Sequence, residues 1–218
     1  MTEHLVRSRI QGLSSRSMRD LFPFLLLILL PALGLAQGSR WGPRAGVVLG
    51  AQTVGDLGAN VTEWKPGLTA GISGDHPLVE RFHLQTDLLW IMKGARARNP
   101  AVRTTGNTTL NYLELDLLGK FDLGGAQEGL FLTIGPTFGY FLSGRVTTRQ
   151  DGQEINSYSL AGGDLHRRFE IGGAVGIGLE VKRWVLEFRG QSGVSTIDRP
   201  GLVRNVVLGA HFSRYLGA

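Results

Sequence analysis

The 218-residue sequence contains no cysteine, which excludes a disulfide scaffold, a thiolate zinc centre and a lipid anchor carried on a cysteine. Charge is sparse, at 19% of residues, and aromatics make up only 8%. Beyond residue 36 no apolar run approaches the ~20 residues that a membrane-spanning helix requires. A helical bundle is excluded too, because the chain carries 32 glycines and 8 prolines and each glycine costs a helix interior ~1 kcal/mol. The glycines follow no three-residue period, and an apolar content of 42% is too high for a disordered chain. These absences leave one glycine-rich domain, predominantly β.

Residues 1–36 read as a secretory signal peptide. Arg7, Arg9, Arg16 and Arg19 outnumber Glu3 and Asp20, the apolar stretch Leu21–Leu30 follows, and Gly34-Leu35-Ala36 offers small residues for cleavage after Ala36. A basic leader, a short apolar segment and a small-x-small site are the three parts such a signal needs. Pro23 and Pro31 interrupt the apolar stretch, which is too short for a spanning helix. Met18 is a second candidate start. Removing the segment lowers the net charge from +5 to +3, and the remaining Lys and Arg form no cluster, so nucleic acid is not an expected partner.

From Ala45 onward the hydrophobic period is two. Phe169, Ile171, Val175, Ile177, Leu179 and Val181 alternate with Glu170, Gly172, Ala174, Gly176, Gly178, Glu180 and Lys182. Strict alternation marks a strand with two unlike faces. The same split recurs at Leu130–Leu142, Phe82–Ile91, Leu113–Leu118 and Trp184–Gln191, and more weakly at Ala45–Gln52, Pro66–Ser73 and Val206–Ser213. Eight strands are thus predicted, joined by connections at 54–65, 75–80, 94–109, 122–128, 144–166, 182–183 and 195–203. Long and short connections alternate, as in an antiparallel up-and-down transmembrane barrel with its termini on the periplasmic side. The barrel domain is assigned to residues 37–218.

Which face meets lipid follows from the ionisable residues. The larger apolar parity has none, whereas the opposite parity collects the charges together with Gly46, Gly50, Gly67, Gly71, Gly135, Gly139, Gly172, Gly176, Gly178 and Gly209. An eight-stranded barrel has an interior just wide enough for side chains to fill, so small residues and a few mutually neutralising charges suit the inside. Soluble surfaces run nearer ~25–35% charged. A soluble lipocalin-like barrel that binds an apolar ligand would put the apolar parity inside, and it stands as an alternative.

Three segments carry a family resemblance. Asn111-Tyr112-Leu113-Glu114-Leu115-Asp116-Leu117-Leu118-Gly119-Lys120-Phe121 resembles the NYLEIPLLLKY strand of the PorT-like outer-membrane β-barrel family. Phe82-His83-Leu84-Gln85-Thr86-Asp87-Leu88-Leu89-Trp90 is similar to that family's FSLQPELLY, and Gly135-Pro136-Thr137-Phe138-Gly139-Tyr140-Phe141-Leu142-Ser143 to its GPYLGYLLS. The resemblance covers most of residues 41–216 in order and implies an outer-membrane barrel. Asp116 stands where the family has proline, and Gly119 where it has a leucine-like residue. The chain ends Phe212-Ser213-Arg214-Tyr215-Leu216-Gly217-Ala218, without the terminal aromatic that the barrel-insertion machinery generally recognises.

The expected interior set is Asp87, Glu114, Asp116, Lys120, Glu180, Glu187 and Arg189. Buried charges must pair or neutralise, which predicts a salt-bridge plug in which Arg189 and Lys120 neutralise Glu187 and Glu114. A proton or ion path is the sharper alternative. Trp41, Trp64, Trp90, Tyr140 and Trp184 fall near strand ends, as interfacial aromatic girdles do. His83, His166 and His211 lack metal-ligand spacing, and no cofactor is expected. His211 and Ser213 share a face, as in a lipid A deacylase-like enzyme; no carboxylate follows in the expected place to orient the imidazole, although Glu187 lies on the neighbouring strand, and a lipid-modifying enzyme stands as the runner-up. The expected protein is therefore non-catalytic. Its expected partners are outer-membrane lipid, the insertion machinery, and an unidentified protein or ligand at the connections 94–109 and 144–166.

Overall fold

The computed structural model describes residues 38–54, 60–99, 101, 103–124, 128–161, 168–196 and 203–216. The predicted signal peptide and its cleavage after Ala36 lie outside these residues. Ten strands are present among them: β1 (Arg40–Val54), β2 (Asn60–Val61), β3 (Lys65–Val79), β4 (Phe82–Asn99), β5 (Thr104–Asp122), β6 (Gly129–Gln150), β7 (Gln153–Leu160), β8 (Phe169–Val181), β9 (Trp184–Gly193) and β10 (Val203–Arg214). Eight of them close a ring in the order β1-β3-β4-β5-β6-β8-β9-β10, with β10 returning to β1 from Arg44↔Ser213 to Val54↔Val203. All pairings are antiparallel. Closure leaves the ring no free sheet edge, which is what a β-structure in lipid requires. The short β2 pairs with the end of β1, and β7 pairs with the end of β6.

The two parities separate as their chemistry demands. Val47, Ile134, Val175 and Phe188 are 57–67% exposed on the outside, while Asp87, Lys120 and Glu187 are fully buried inside. This orientation corrects the lipocalin-like alternative. Apolar side chains facing out and charges facing in suit a barrel with lipid as its solvent.

Glycines on the inner parity let the strands coil tightly. A Cβ built at Gly71 would collide with the Leu88 carbonyl oxygen, and one at Gly135 with that of Leu117. Gly119 lies instead on the outer face, where the Phe82 ring sits 3.0 Å from the position a Cβ would take. The ring covers backbone that Gly119 leaves bare on a paired strand, a known way to compensate a strand glycine. Phe82→Ala is expected to destabilise the barrel by up to ~1 kcal/mol, the scale of a cross-strand pair, measured by urea unfolding in lipid vesicles.

Two connections are shorter than the periodicity predicts. The segment assigned to 94–109 is mostly ladder, with β4 and β5 paired out to Asn99↔Thr104. Within 144–166, β6 runs to Gln150 and turns through Asp151 and Gly152, both at positive φ, into β7. These extensions are rich in Thr, Ser, Asn and Arg, with only scattered apolar residues such as Val146 and Ile155. Outside lipid a strand keeps its hydrogen bonds but loses its apolar alternation, so the periodic signal stops where the membrane does.

Candidate functional site

The lumen is filled by three tiers of paired charges. The tier nearest the short turns joins Arg40, Asp75, His83, Lys120, Asp122 and Glu180. Arg40 bonds Asp75 and donates to Glu180 at 2.6 Å, while Lys120 Nζ reaches Glu180 at 2.6 Å and Asp75 at 3.4 Å. His83 lies between Asp75 at 2.9 Å and Asp122 at 3.3 Å.

The middle tier is built around two guanidinium groups. Arg189 donates to Asp116 at 2.6 Å, Asp87 at 2.7 Å and Glu187 at 3.0 Å. Arg44 donates to Glu187 at 2.5 Å and to Ser213 Oγ at 3.1 Å. Ser73, Gln85 and Thr133 add hydrogen bonds to Asp87 and Glu187. A planar fork with several donors suits this place, since it can serve multiple carboxylates at once where an ammonium is a point charge.

In the third tier Lys93 Nζ meets Glu114 at 2.5 Å and Glu170 at 2.7 Å. Gln191 donates to Glu114 at 2.8 Å, and Asn205 to Glu170 at 2.5 Å.

Apolar clusters pack with the two outer tiers. Around the Lys93 stem, beyond Glu114 and Glu170, lie Val48, Ile91, Leu110, Tyr112, Phe141 and Val207, with Tyr112 and Phe141 edge to face at 5.7 Å. Level with the first tier lie Phe131, opposite Asp122, Val185, opposite Glu180, and Tyr215, with Lys120 over the Phe131 ring and Arg40 over the Tyr215 ring, each at 4.7 Å. Cations over ring faces gain attraction from the ring quadrupole, more so when desolvated.

All seven interior residues named from the sequence are buried inside, but they divide among the tiers. Asp87, Asp116, Glu187 and Arg189 meet in the middle, Lys120 and Glu180 below, and Glu114 above. The expected Lys120–Glu114 pair is corrected. The two residues are six apart on one strand, ~20 Å at ~3.4 Å per residue, so Lys120 turns to Glu180 and Glu114 to Lys93. Arg40, Arg44, Asp75, His83, Lys93, Asp122 and Glu170 complete the network. His83 and Glu170 already lie on the inner parity within the expected strands, and the same parity continued past the expected strand ends reaches the other five.

Of the aromatic set, Trp41 and Trp184 lie at the short-turn rim, both 40–45% exposed. Trp184 stacks on Phe212 at 5.0 Å and carries the Arg214 guanidinium at 4.8 Å. Trp64, Trp90 and Tyr140 lie toward the opposite rim. Tyr140 departs from the expected lipid-facing role, being buried. The chain entering β8 runs alongside it, with Phe141 N–H donating to the Arg168 carbonyl at 2.8 Å and Arg168 Nη1 to the Tyr140 hydroxyl at 3.5 Å. His211 and Ser213 both face the lumen and are buried. Among the described residues no group of His, Asp and Glu is arranged to hold a metal ion.

No curated protein sequence matches the chain. Among solved structures, Neisserial surface protein A is similar at 12% identity and a TM-score of 0.50, covering 82% of this chain and 99% of that one. The attachment invasion locus protein Ail of Yersinia pestis is similar at 12% identity over the same shares, with a TM-score of 0.46. OprG of Pseudomonas aeruginosa shows 13% identity over 83% of this chain and 97% of its own, with a TM-score of 0.42. The family model described as outer membrane protein beta-barrel domain matches residues 35–199. With that match over most of its length, and a closed ring that is apolar outside and charged within, the chain belongs to the outer-membrane β-barrel domain family.

Proposed function

We propose that the protein is a non-conducting, non-catalytic barrel of PorT-like type, with periplasmic termini, that acts through the hairpins standing beyond its far rim. The observation that carries this reading is the filled lumen. Three ion-paired tiers of buried side chains occupy the interior, and the Tyr112–Phe141 cluster packs beside the upper one. A conducting path needs water-sized continuity, and each guanidinium here is already committed to two or more partners. Geometry adds nothing to a lipid-modifying role, because Ser213 is bonded to Arg44 within the lumen rather than presented to lipid. The PorT-like assignment rests on the three sequence segments around Asn111, Phe82 and Gly135.

Purified protein in planar lipid bilayers is expected to give no steady conductance. A stable, large single-channel current would overturn the closed-lumen reading. Cell fractionation is expected to recover the chain in the outer membrane with heat-modifiable gel mobility.

A further inference from the structure

Beyond the rim, β4, β5, β6 and β7 continue as a four-stranded sheet, one face of which follows by strand parity from the lipid-facing positions below it. On β5 the odd positions face outward, so the cross-strand rows can be read from the register. Gly94, Thr109, Arg145 and Ser159 form the first row, Arg96, Asn107, Thr147 and Ser157 the second, and Arg98, Thr105, Arg149 and Glu154 the third. Just below the first row, Asn111 pairs with Ser143, next to Leu142 and Met92, where the apolar band ends.

Arg96, Arg98, Arg145 and Arg149 are all exposed, and the half-buried Lys65 donates to Thr109 Oγ1 at 2.8 Å. Glu63, backbone-paired with Arg96, and Glu154 are the acidic residues of this face among the described residues. Four arginines against two carboxylates leave an excess of positive charge. The Arg149–Glu154 contact, at 4.0 Å and half exposed on both sides, is too weak to absorb it. Arg96 Nε donates to Asn107 Oδ1 at 3.1 Å, and the side chain is exposed.

Height selects the occupant. Arg145 stands two residues above the Asn111–Ser143 row, ~7 Å, and the headgroup layer on each side of a bilayer is ~5–7 Å thick. The arginines in the rows above can bend back along their stems to reach the same layer. We propose that this face binds the phosphate groups of phosphorylated lipid in the leaflet on the hairpin side. Arginine's planar fork suits phosphate oxygens, and basic residues beside a membrane favour anionic headgroups. The inference deepens the proposed role of the hairpins and rests on that reading for which leaflet is engaged.

The test uses the full barrel in phosphatidylcholine nanodiscs containing a minor share of diphosphorylated lipid A, or the same lipid with its phosphates removed. Lipid retained through purification is counted by native mass spectrometry. The wild type is expected to retain the phosphorylated lipid, and R96Q/R98Q/R145Q/R149Q to lose ~10-fold or more of that retention, given the share that each basic residue contributes. Equal retention by the variant, or equal retention of the dephosphorylated lipid, would overturn the proposal. Tighter binding of a soluble sulfated polysaccharide in lipid A-free discs would overturn it as well, by making the partner a soluble polyanion.

Nanodiscs expose both leaflets, so this result does not depend on orientation. Orientation is read separately by thiol labelling of Asp151→Cys on intact cells, a unique site in a cysteine-free chain. Labelling from outside supports the hairpins being extracellular, and protection would overturn that reading alone.

Discussion

Arg189→Met is expected to destabilise the barrel by about 3–5 kcal/mol, the scale of breaking a buried ion pair from one side. The guanidinium serves Asp87, Asp116 and Glu187 together, and methionine fills similar space without a donor. Arg44 would then face the three carboxylates alone, reaching Glu187 at 2.5 Å and Asp87 at 3.6 Å but leaving Asp116 without a cation. Arg189→Lys is expected to lose less, since it keeps the charge but cannot span three acceptors. Adding Asp116→Leu to Arg189→Met should recover part of the loss by removing the stranded carboxylate. Urea titration of refolded protein in lipid vesicles reads all three. An unchanged midpoint for Arg189→Met would mean that the middle tier does not hold the barrel together.

That tier was partly legible in the sequence. The period of two placed Asp87, Glu114, Asp116, Lys120, Glu180, Glu187 and Arg189 on one parity, and the glycines on that parity marked it as the narrow side. Parity is a one-residue property, so a single strand suffices to read it. Pairing is different. Which carboxylate meets Lys120 depends on the stagger between strands and on height along the barrel, and neither is written in any one strand. Glu170 lies on β8 and Lys93 on β4, yet they meet at 2.7 Å across the lumen.

The strand ends were the other gap. Arg40 and Arg44 lie on the inner parity of β1, but the expected strand began at Ala45, so two of the five buried Lys and Arg side chains of the network were passed over. Lys93 fell at the boundary of an expected loop for the same reason. A charged residue at a strand end looks like the start of a loop when hydrophobicity is the only guide. The hairpin sheet beyond the rim is not legible in the sequence, because Arg96, Asn107, Thr147 and Ser157 align only through the register.

Gly71→Val is expected to keep the barrel from reaching its native closed form. Gly71 lies on the inner parity of β3, opposite Leu89 on β4 and Arg44 on β1. A Cβ there would collide with the Leu88 carbonyl oxygen and lie 2.9 Å from the Leu89 Cα. Both are backbone atoms, so no rotamer change relieves the contact. Relief requires β3 and β4 to separate at the point where Ser73 Oγ donates to Asp87 at 2.5 Å, which loosens the middle tier as well. Loss of a strand contact in a closed ring also opens an edge within lipid, where unpaired backbone groups each cost several kcal/mol. Gly173→Ala is the matched control. Its Cβ would lie no nearer than 3.9 Å to any atom, the Gly135 carbonyl oxygen. It should fold normally, with a change within ~1 kcal/mol. Heat-modifiable mobility on a gel after refolding into vesicles separates the two outcomes, with Gly71→Val expected to run as unfolded chain. A native-like shift for Gly71→Val with a wild-type urea midpoint would show that the close approach of β3 and β4 is not needed for closure.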